Sequence, residues 1–363
     1  MASISPVNPP NTTGGQPVHL VLDRGRGFGW GRRLPWILLV VALFFAYSMY
    51  RSYQSYLQKD PRLEEKFVSH SPYAKDKVAI ITIEGPIMHN DGFAKWQIDQ
   101  VRRDPDVKAV VVRVDSPGGT VTGSDYLFHH LKQLREGSAT ERPLPLVVSM
   151  GAIAASGGYY LSMAAGGVPD TIFAERTTWT GSIGVIIPHY NASELLESWR
   201  IKDDSVVSGP LKAMASPTRM LTPEMAEREH QVLQTLVNET FEQFKDVVRE
   251  GRPNLFKDPM AVEKATTGQV FNAKQALDLG LVDKLGFLED AVDRAIQLAN
   301  LKQDDVRVIS YSQPRGLLDS TLFGASAASG TSFPQLNVSA IVDLATPRAY
   351  FLYTWLPALL TNR

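Results

Sequence analysis

The sequence predicts an α/β fold with a largely parallel, buried sheet, preceded by one N-terminal transmembrane helix. Three observations predict it. Val78–Ile83, Val107–Val114 and Leu146–Met150 are apolar runs, the first ending in the turn residues Glu-Gly-Pro. Val121–Leu134, between the second and third runs, reads as a helix, so strand, helix and strand follow at the spacing of βαβ units. Leu34–Tyr50 carries no charge, and a bilayer is crossed by roughly 17–25 such residues.

Taken in order, residues 1–33 are rich in Pro, Gly, Asn, Thr and Arg without a sustained period, and predict a disordered tail. Residues 34–50 form the anchor, with Trp36, Tyr47 and Tyr50 near its ends as in an aromatic belt. A cleaved signal peptide is the competing reading. The late start and the lack of a clear small-x-small site argue against it. Arg24, Arg26, Arg32 and Arg33 precede the anchor, and Arg51, Lys59, Arg62 and Lys66 follow it. The positive-inside count ties, and the closer arginines favour a cytoplasmic N-terminus.

Residues 51–75, charged and aromatic, predict a helical stalk, and 76–311 the main folded domain. Within that domain, Thr171–Ala174 and Gly184–Ile187 are further short strands. Thr222-Pro-Glu opens a long helix running to about Glu250, with Thr222 as N-cap and Pro223 in its first position. Helices follow near Pro259–Thr266, at Ala273–Leu279 (stopped by Gly280) and at Leu288–Leu298. Residues 312–363 predict a flexible Ser/Gly/Ala linker and an apolar tail, Ala349–Leu360. The tail is short and broken by Pro357, which suits docking on a membrane interface, a subunit or its own body better than a second span.

Composition excludes several chemistries. A net charge of −1 gives no global field for nucleic acid. The absence of cysteine removes disulfides, thiolate catalysis and cysteine-bound zinc. The seven histidines form no HExxH pair, and the adjacent His129 and His130 point about 100° apart on a helix. No metal and no cofactor is expected.

The chemistry that remains is acyl transfer. The apolar strand Leu146–Met150 runs into Gly151-Ala-Ile-Ala-Ala-Ser156-Gly-Gly-Tyr-Tyr160. A strand-turn-helix of this kind holds one hydroxyl near a helix N-terminus, where the Gly157 amide is free for an oxyanion and the helix dipole adds roughly 0.3–1 kcal/mol. The bland alternative is a small packing serine. A serine nucleophile needs a base. His189 follows Pro188 in an exposed-looking turn and is the weaker candidate. Lys212, in Ser208-Gly-Pro-Leu-Lys-Ala-Met, is the stronger one. A lysine in water is protonated at neutral pH, so base work needs desolvation, and the small, uncharged neighbours of Lys212 suit a buried amine. It is otherwise a surface lysine on a loop. Asp115-Ser-Pro-Gly-Gly119 is a turn that also offers a second backbone donor, Gly119. Ser182, in Thr180-Gly-Ser-Ile-Gly184, is placed to hold the lysine or is simply a turn residue.

These motifs together resemble the signal peptide peptidase A family in its short form, Ser-Lys serine peptidases of the Clp/crotonase fold. The likeness runs from Val78 to Leu298 and includes Glu84-Gly-Pro-Ile87, Ser216-Pro-Thr-Arg219 and Ala276-Leu-Asp-Leu-Gly-Leu-Val-Asp283. The resemblance implies Ser156 as nucleophile, Lys212 as general base, Ser182 as the lysine's hydrogen-bond partner, and Gly119 and Gly157 as oxyanion donors. It implies remnant signal peptides as substrates, cut near the membrane. It also implies a homo-oligomeric ring such as an octamer, with the dyad shared between subunits and the catalytic domain outside the cytoplasm, and no nucleic-acid partner. Ala165–Asp170 stands out as a local elaboration, and the linker and tail lie outside the likeness. Two alternatives remain: a crotonase-like acyl-CoA hydratase or hydrolase, and a catalytically silent membrane scaffold.

Overall fold

The computed structural model describes residues 30–57, 63–88, 92–138, 142–313 and 349–352. The chain divides into two units, Met1–Lys59 and Asp60–Arg363. In the first, helix α1 spans Trp30–Leu57 and so begins before the predicted anchor and continues past it. The predicted tail, residues 1–33, lies almost wholly outside the described residues. From Trp36 to Tyr50 the large apolar side chains of α1 stand open to solvent, Phe44 at 69% and Phe45 at 68%. Among the described residues, no helix is long and apolar enough to cross a membrane.

The second unit is a mixed α/β body. Its elements are β1 (Glu64–His70), β2 (Asp76–Glu84), α2 (Phe93–Arg103), β3 (Val107–Ser116), β4 (Gly118–Thr120), α3 (Val121–Glu136), β5 (Leu146–Ala155), α4 (Gly157–Ser162), β6 (Ile172–Ala174), β7 (Trp179–Gly181), α5 (Ser193–Ser198), α6 (Pro223–Gly251), α7 (Pro259–Ala265), β8 (Val270–Asn272), α8 (Ala273–Asp278), β9 (Lys284–Leu285), α9 (Leu288–Leu298), β10 (Val306–Ser312) and β11 (Tyr350–Leu352). The main sheet runs β1-β10-β2-β3-β5-β6-β9, with β7 on β5 and β8 on β7. All its pairs are parallel except β1–β10 and β7–β8.

Both faces of this sheet are covered, which is why its strands read as apolar runs. Ile81, Val110, Val112, Val148 and Met150 face one core, shared with α2, α3 and α4. Their neighbours Val78, Ile80, Val111 and Val147 face a second core closed by Ala291, Val292, Ala295 and Ile296 of α9. The long helix α6 starts as its sequence predicts. The Thr222 hydroxyl accepts from the Met225 amide, and Pro223 sits in the first turn.

The structure departs from the sequence reading in two places. The predicted helical stalk contains a strand, because Glu64–His70 pairs antiparallel with β10 and covers the edge of the parallel sheet. Gly184–Ile187 is not a strand. Among the described residues Ile186 makes a single bridge, to Tyr350.

Candidate active site

Two strand ends build the site. Strand β5 stops at Ala155, and Ser156 turns the chain into α4 with φ 55° and ψ −113°. That is a left-handed backbone rarely held by a residue with a Cβ, and it is costly unless its surroundings impose it. Here they do. The Ser156 amide donates to the Gly181 carbonyl at the end of β7 (2.8 Å), and the Tyr160 amide donates back to the Ser156 carbonyl (2.8 Å). The Thr180 hydroxyl donates to the Ala154 carbonyl (2.7 Å). Ser156 is left 1% exposed, at the tip of the turn.

The second strand end is β3 running into β4. The Ile87 amide donates to the Gly118 carbonyl (2.8 Å), and the Thr120 amide donates to the Ile87 carbonyl (2.9 Å). The Glu84-Gly-Pro-Ile87 turn thereby clamps the glycine turn from one side. Asp115 ties it to β5, since the Ile153 amide donates to its carboxylate (3.1 Å). The two turns meet at Gly157. A Cβ on Gly157 would stand 2.3 Å from the Ser124 hydroxyl and 3.1 Å from the Gly119 nitrogen. No side chain fits there, so the two predicted oxyanion residues approach through bare backbone.

Ser182 follows β7 directly, at φ 52° and 7% exposed, with its amide donating to the Gln269 carbonyl (2.8 Å). It therefore lies at the same end of the sheet as Ser156. Lys212 does not join them. It is exposed, in a series of turns from Gly209 to Ala215, and among the described residues no hydrogen bond or ion pair engages its amine. Among the described residues the expectation of a lysine buried with Leu211 and Met214 is not met: Lys212 is exposed and those two are only half-buried. His189 is exposed as well and makes no bond to Ser156.

Three features escaped the sequence reading. Glu229 of α6 is 3% exposed, and its carboxylate accepts from the Ala215 amide (3.2 Å) and pairs with Arg219 (3.4 Å). Arg219 also donates to the Ala213 carbonyl (3.4 Å). The Lys212 loop is thus pinned to α6 at its far end, where Ala215 has φ 60°. Ser124 of α3 is wholly buried beside Gly157, and its hydroxyl has no partner among the described residues. Third, Tyr160, Phe128 and Phe244 form an aromatic wall next to the Ser156 turn, with ring centroids 5.1–5.3 Å apart. Burial, and then the bond from the Tyr160 hydroxyl to Asp125 (2.7 Å), push the Tyr160 phenol well above its ordinary range, so it stays neutral and fixed. Among the described residues, no group of His, Asp and Glu is arranged to hold a metal.

What this arrangement offers chemically is a rigid, strained serine facing converging backbone amides. Comparison with known proteins agrees in kind. The model of peptidase family S49 matches residues 138–302. A Synechocystis sp. protein designated as a protease, slr0021, is 38% identical over 247 residues, 67% of this chain and 82% of that protein. An Enterococcus faecium protein designated signal peptide peptidase SppA is 35% identical over 63% of this chain and 60% of its own length. The chloroplastic serine protease SPPA of Arabidopsis thaliana is 31% identical over 70% of this chain, but only 37% of its own length is spanned. On this likeness the chain belongs to peptidase family S49.

Proposed function

We propose that the chain is a membrane-anchored serine endopeptidase of the Clp/crotonase fold that uses a Ser156–Lys212 dyad. One observation carries the reading: Ser156 sits in a strained, fully supported turn against the backbones of Gly119 and Gly157. The Ser156 hydroxyl attacks the substrate carbonyl, and the Gly119 and Gly157 amides receive the negative charge that develops on its oxygen. The proton passes to Lys212 and from there to the leaving amine. Water then hydrolyses the acyl-enzyme.

Lys212 serves as base only where water is kept off its amine. Its exposure in a single chain supports completion of the dyad by a second copy, in a homo-oligomeric ring, with Ser182 holding the amine. Leu34–Tyr50 anchors the protein, since the apolar side chains that α1 leaves open find their natural partner in lipid. The body then lies outside the cytoplasm and acts on peptides at the membrane, such as remnant signal peptides.

The test mixes two variants, Ser156→Ala and Lys212→Ala, and assays peptide hydrolysis. Each variant alone is inactive, and the mixture regains activity as subunits exchange. Full activity of either variant alone would refute the dyad.

A further inference from the structure

Ser116 belongs to the Asp115-Ser-Pro-Gly-Gly119 turn but has no part in the mechanism above. It is the last residue of β3 and is wholly buried. Pro117 follows it and brings no amide, so Gly118 carries the first backbone donor of the turn. The Ser116 hydroxyl takes that donor: the Gly118 amide donates to Ser116 Oγ (3.1 Å). Ser116 also abuts the Ser156 turn, since a Cβ on Gly158 would stand 2.7 Å from the Ser116 carbonyl oxygen.

The next peptide unit joins the Gly118 carbonyl to the Gly119 amide. A trans peptide points its carbonyl and its amide in opposite directions. The Gly118 carbonyl accepts from the Ile87 amide (2.8 Å), so the Gly119 amide is turned away from Ile87. Glycine at both positions gives this unit no side chain to resist a flip, and Gly118 holds φ 100°, a region in which glycine moves freely. Turned over, the unit would present the Gly118 carbonyl to the site in place of the Gly119 amide. An acceptor would then stand where a developing negative charge needs a donor. Two bonds oppose the flip: the Ile87 amide on the Gly118 carbonyl, and the Ser116 hydroxyl on the Gly118 amide.

We propose that Ser116 is a positioning residue for peptide hydrolysis, its hydroxyl locking the Gly118–Gly119 peptide with the amide toward the developing oxyanion. The proposal rests on the peptidase reading above and adds to it a residue that acts through backbone alone. In Ser116→Ala the Gly118 amide becomes a buried donor without its acceptor, and the turn relieves this by leaving its native geometry. The rate constant kcat falls about tenfold or more, up to the roughly 10²–10³-fold cost of losing an oxyanion donor outright. KM changes little, because the ground-state contacts of the peptide remain.

The experiment uses the full chain in detergent, as wild type, Ser116→Ala, Ser116→Cys, Ser116→Thr and Ser156→Ala. Hydrolysis of a fluorogenic leucine-rich peptide is measured beside thermal unfolding. Cysteine keeps the size of serine but accepts a hydrogen bond weakly, so Ser116→Cys loses rate as Ser116→Ala does, without a cavity. Ser116→Thr keeps the hydroxyl and retains more of the rate. Two inhibitors separate positioning from general damage. The aldehyde acetyl-Leu-Leu-leucinal adds to Ser156 and sets its oxygen before the two amides, whereas the matching peptide alcohol fills the same groove without forming that adduct. In Ser116→Ala and Ser116→Cys the aldehyde loses affinity by the same factor as kcat/KM, and the alcohol binds as in the wild type. Wild-type kcat in both variants, or equal losses of affinity for aldehyde and alcohol, overturns the proposal. If that happens while the wild type still cuts the peptide in a Ser156-dependent way, the peptidase reading stands. Cleavage by Ser156→Ala at the wild-type rate removes both.

Discussion

Glu229 bonds to Ala215 and Arg219 and not to Ser156, yet its removal is expected to slow catalysis. Its carboxylate holds the Ala215 amide and Arg219, and through them the far end of the Lys212 loop. Ala215 sits at φ 60°, a conformation that costs an L-residue roughly 1–2 kcal/mol. A hydrogen bond to a charged, buried acceptor contributes about 1.5–3 kcal/mol. Glu229→Ala removes that bond and leaves the strained turn without its anchor. If the whole loss falls on the loop geometry needed at the transition state, about 1.4 kcal/mol per decade makes kcat fall roughly ten- to a hundredfold. KM stays close to its wild-type value, since no substrate contact is lost. Glu229→Gln keeps an acceptor for the Ala215 amide and retains more of the rate. The assay is steady-state hydrolysis of a fluorogenic peptide, with thermal unfolding measured in parallel. Wild-type kcat in Glu229→Ala would refute the positioning role. An equal loss in Glu229→Gln would show that the ion pair with Arg219, and not the loop bond, is what matters.

Two further outcomes are expected. In Gly119→Ala the new Cβ would stand 1.9 Å from the Ile87 carbonyl oxygen, so the donor must shift, and hydrolysis should fall about 10²–10³-fold with an unchanged circular-dichroism spectrum. Asp283 bridges β6 and α6, accepting from the Thr171 and Ile172 amides (2.9 Å each) and pairing with Arg252 (2.5 Å). Burial pushes its carboxyl up, but Arg252 and the two amides outweigh this and hold it below the ordinary carboxylate range. A depressed carboxylate stabilises fully above its unfolded value and loses that contribution as pH falls through the folded one. Asp283→Asn, which leaves the buried Arg252 unpaired, should cost about 3 kcal/mol at pH 7. Denaturant titrations should show the gap closing below about pH 4.

Much of the body was legible because its strands are covered on both faces and its helices carry their own caps. The apolar runs at Val78, Val107 and Leu146 appear as β2, β3 and β5, and the Thr222-Pro223 start of α6 is where the sequence puts it. The elements that were missed owe their form to distant partners. Glu64–His70 is charged and short, and becomes a strand only because β10 offers an edge more than 200 residues away. Tyr350–Leu352 is likewise strand only through β4 and Ile186. In the site, the small residues around Ser156 announced a tight turn, and the glycines announced close backbone. Glu229 announced nothing, since one glutamate on a charged helix looks like any other until Ala215 is seen to face it. The apolar neighbours of Lys212 suggested burial, but among the described residues Lys212 itself is left exposed.

The β1–β10 ladder sets Glu64 opposite Ser312, so the chain leaves the body at the corner where it begins. The stretch from Gln313 to Ala349 can span on the order of 100 Å at full extension, against roughly 40–50 Å across a body of this size. A length of that order sets no limit on where Tyr350–Leu352 lies on the body, so its place is fixed by the ladder to β4 and the bridge to Ile186 and by nothing in the chain that leads to it.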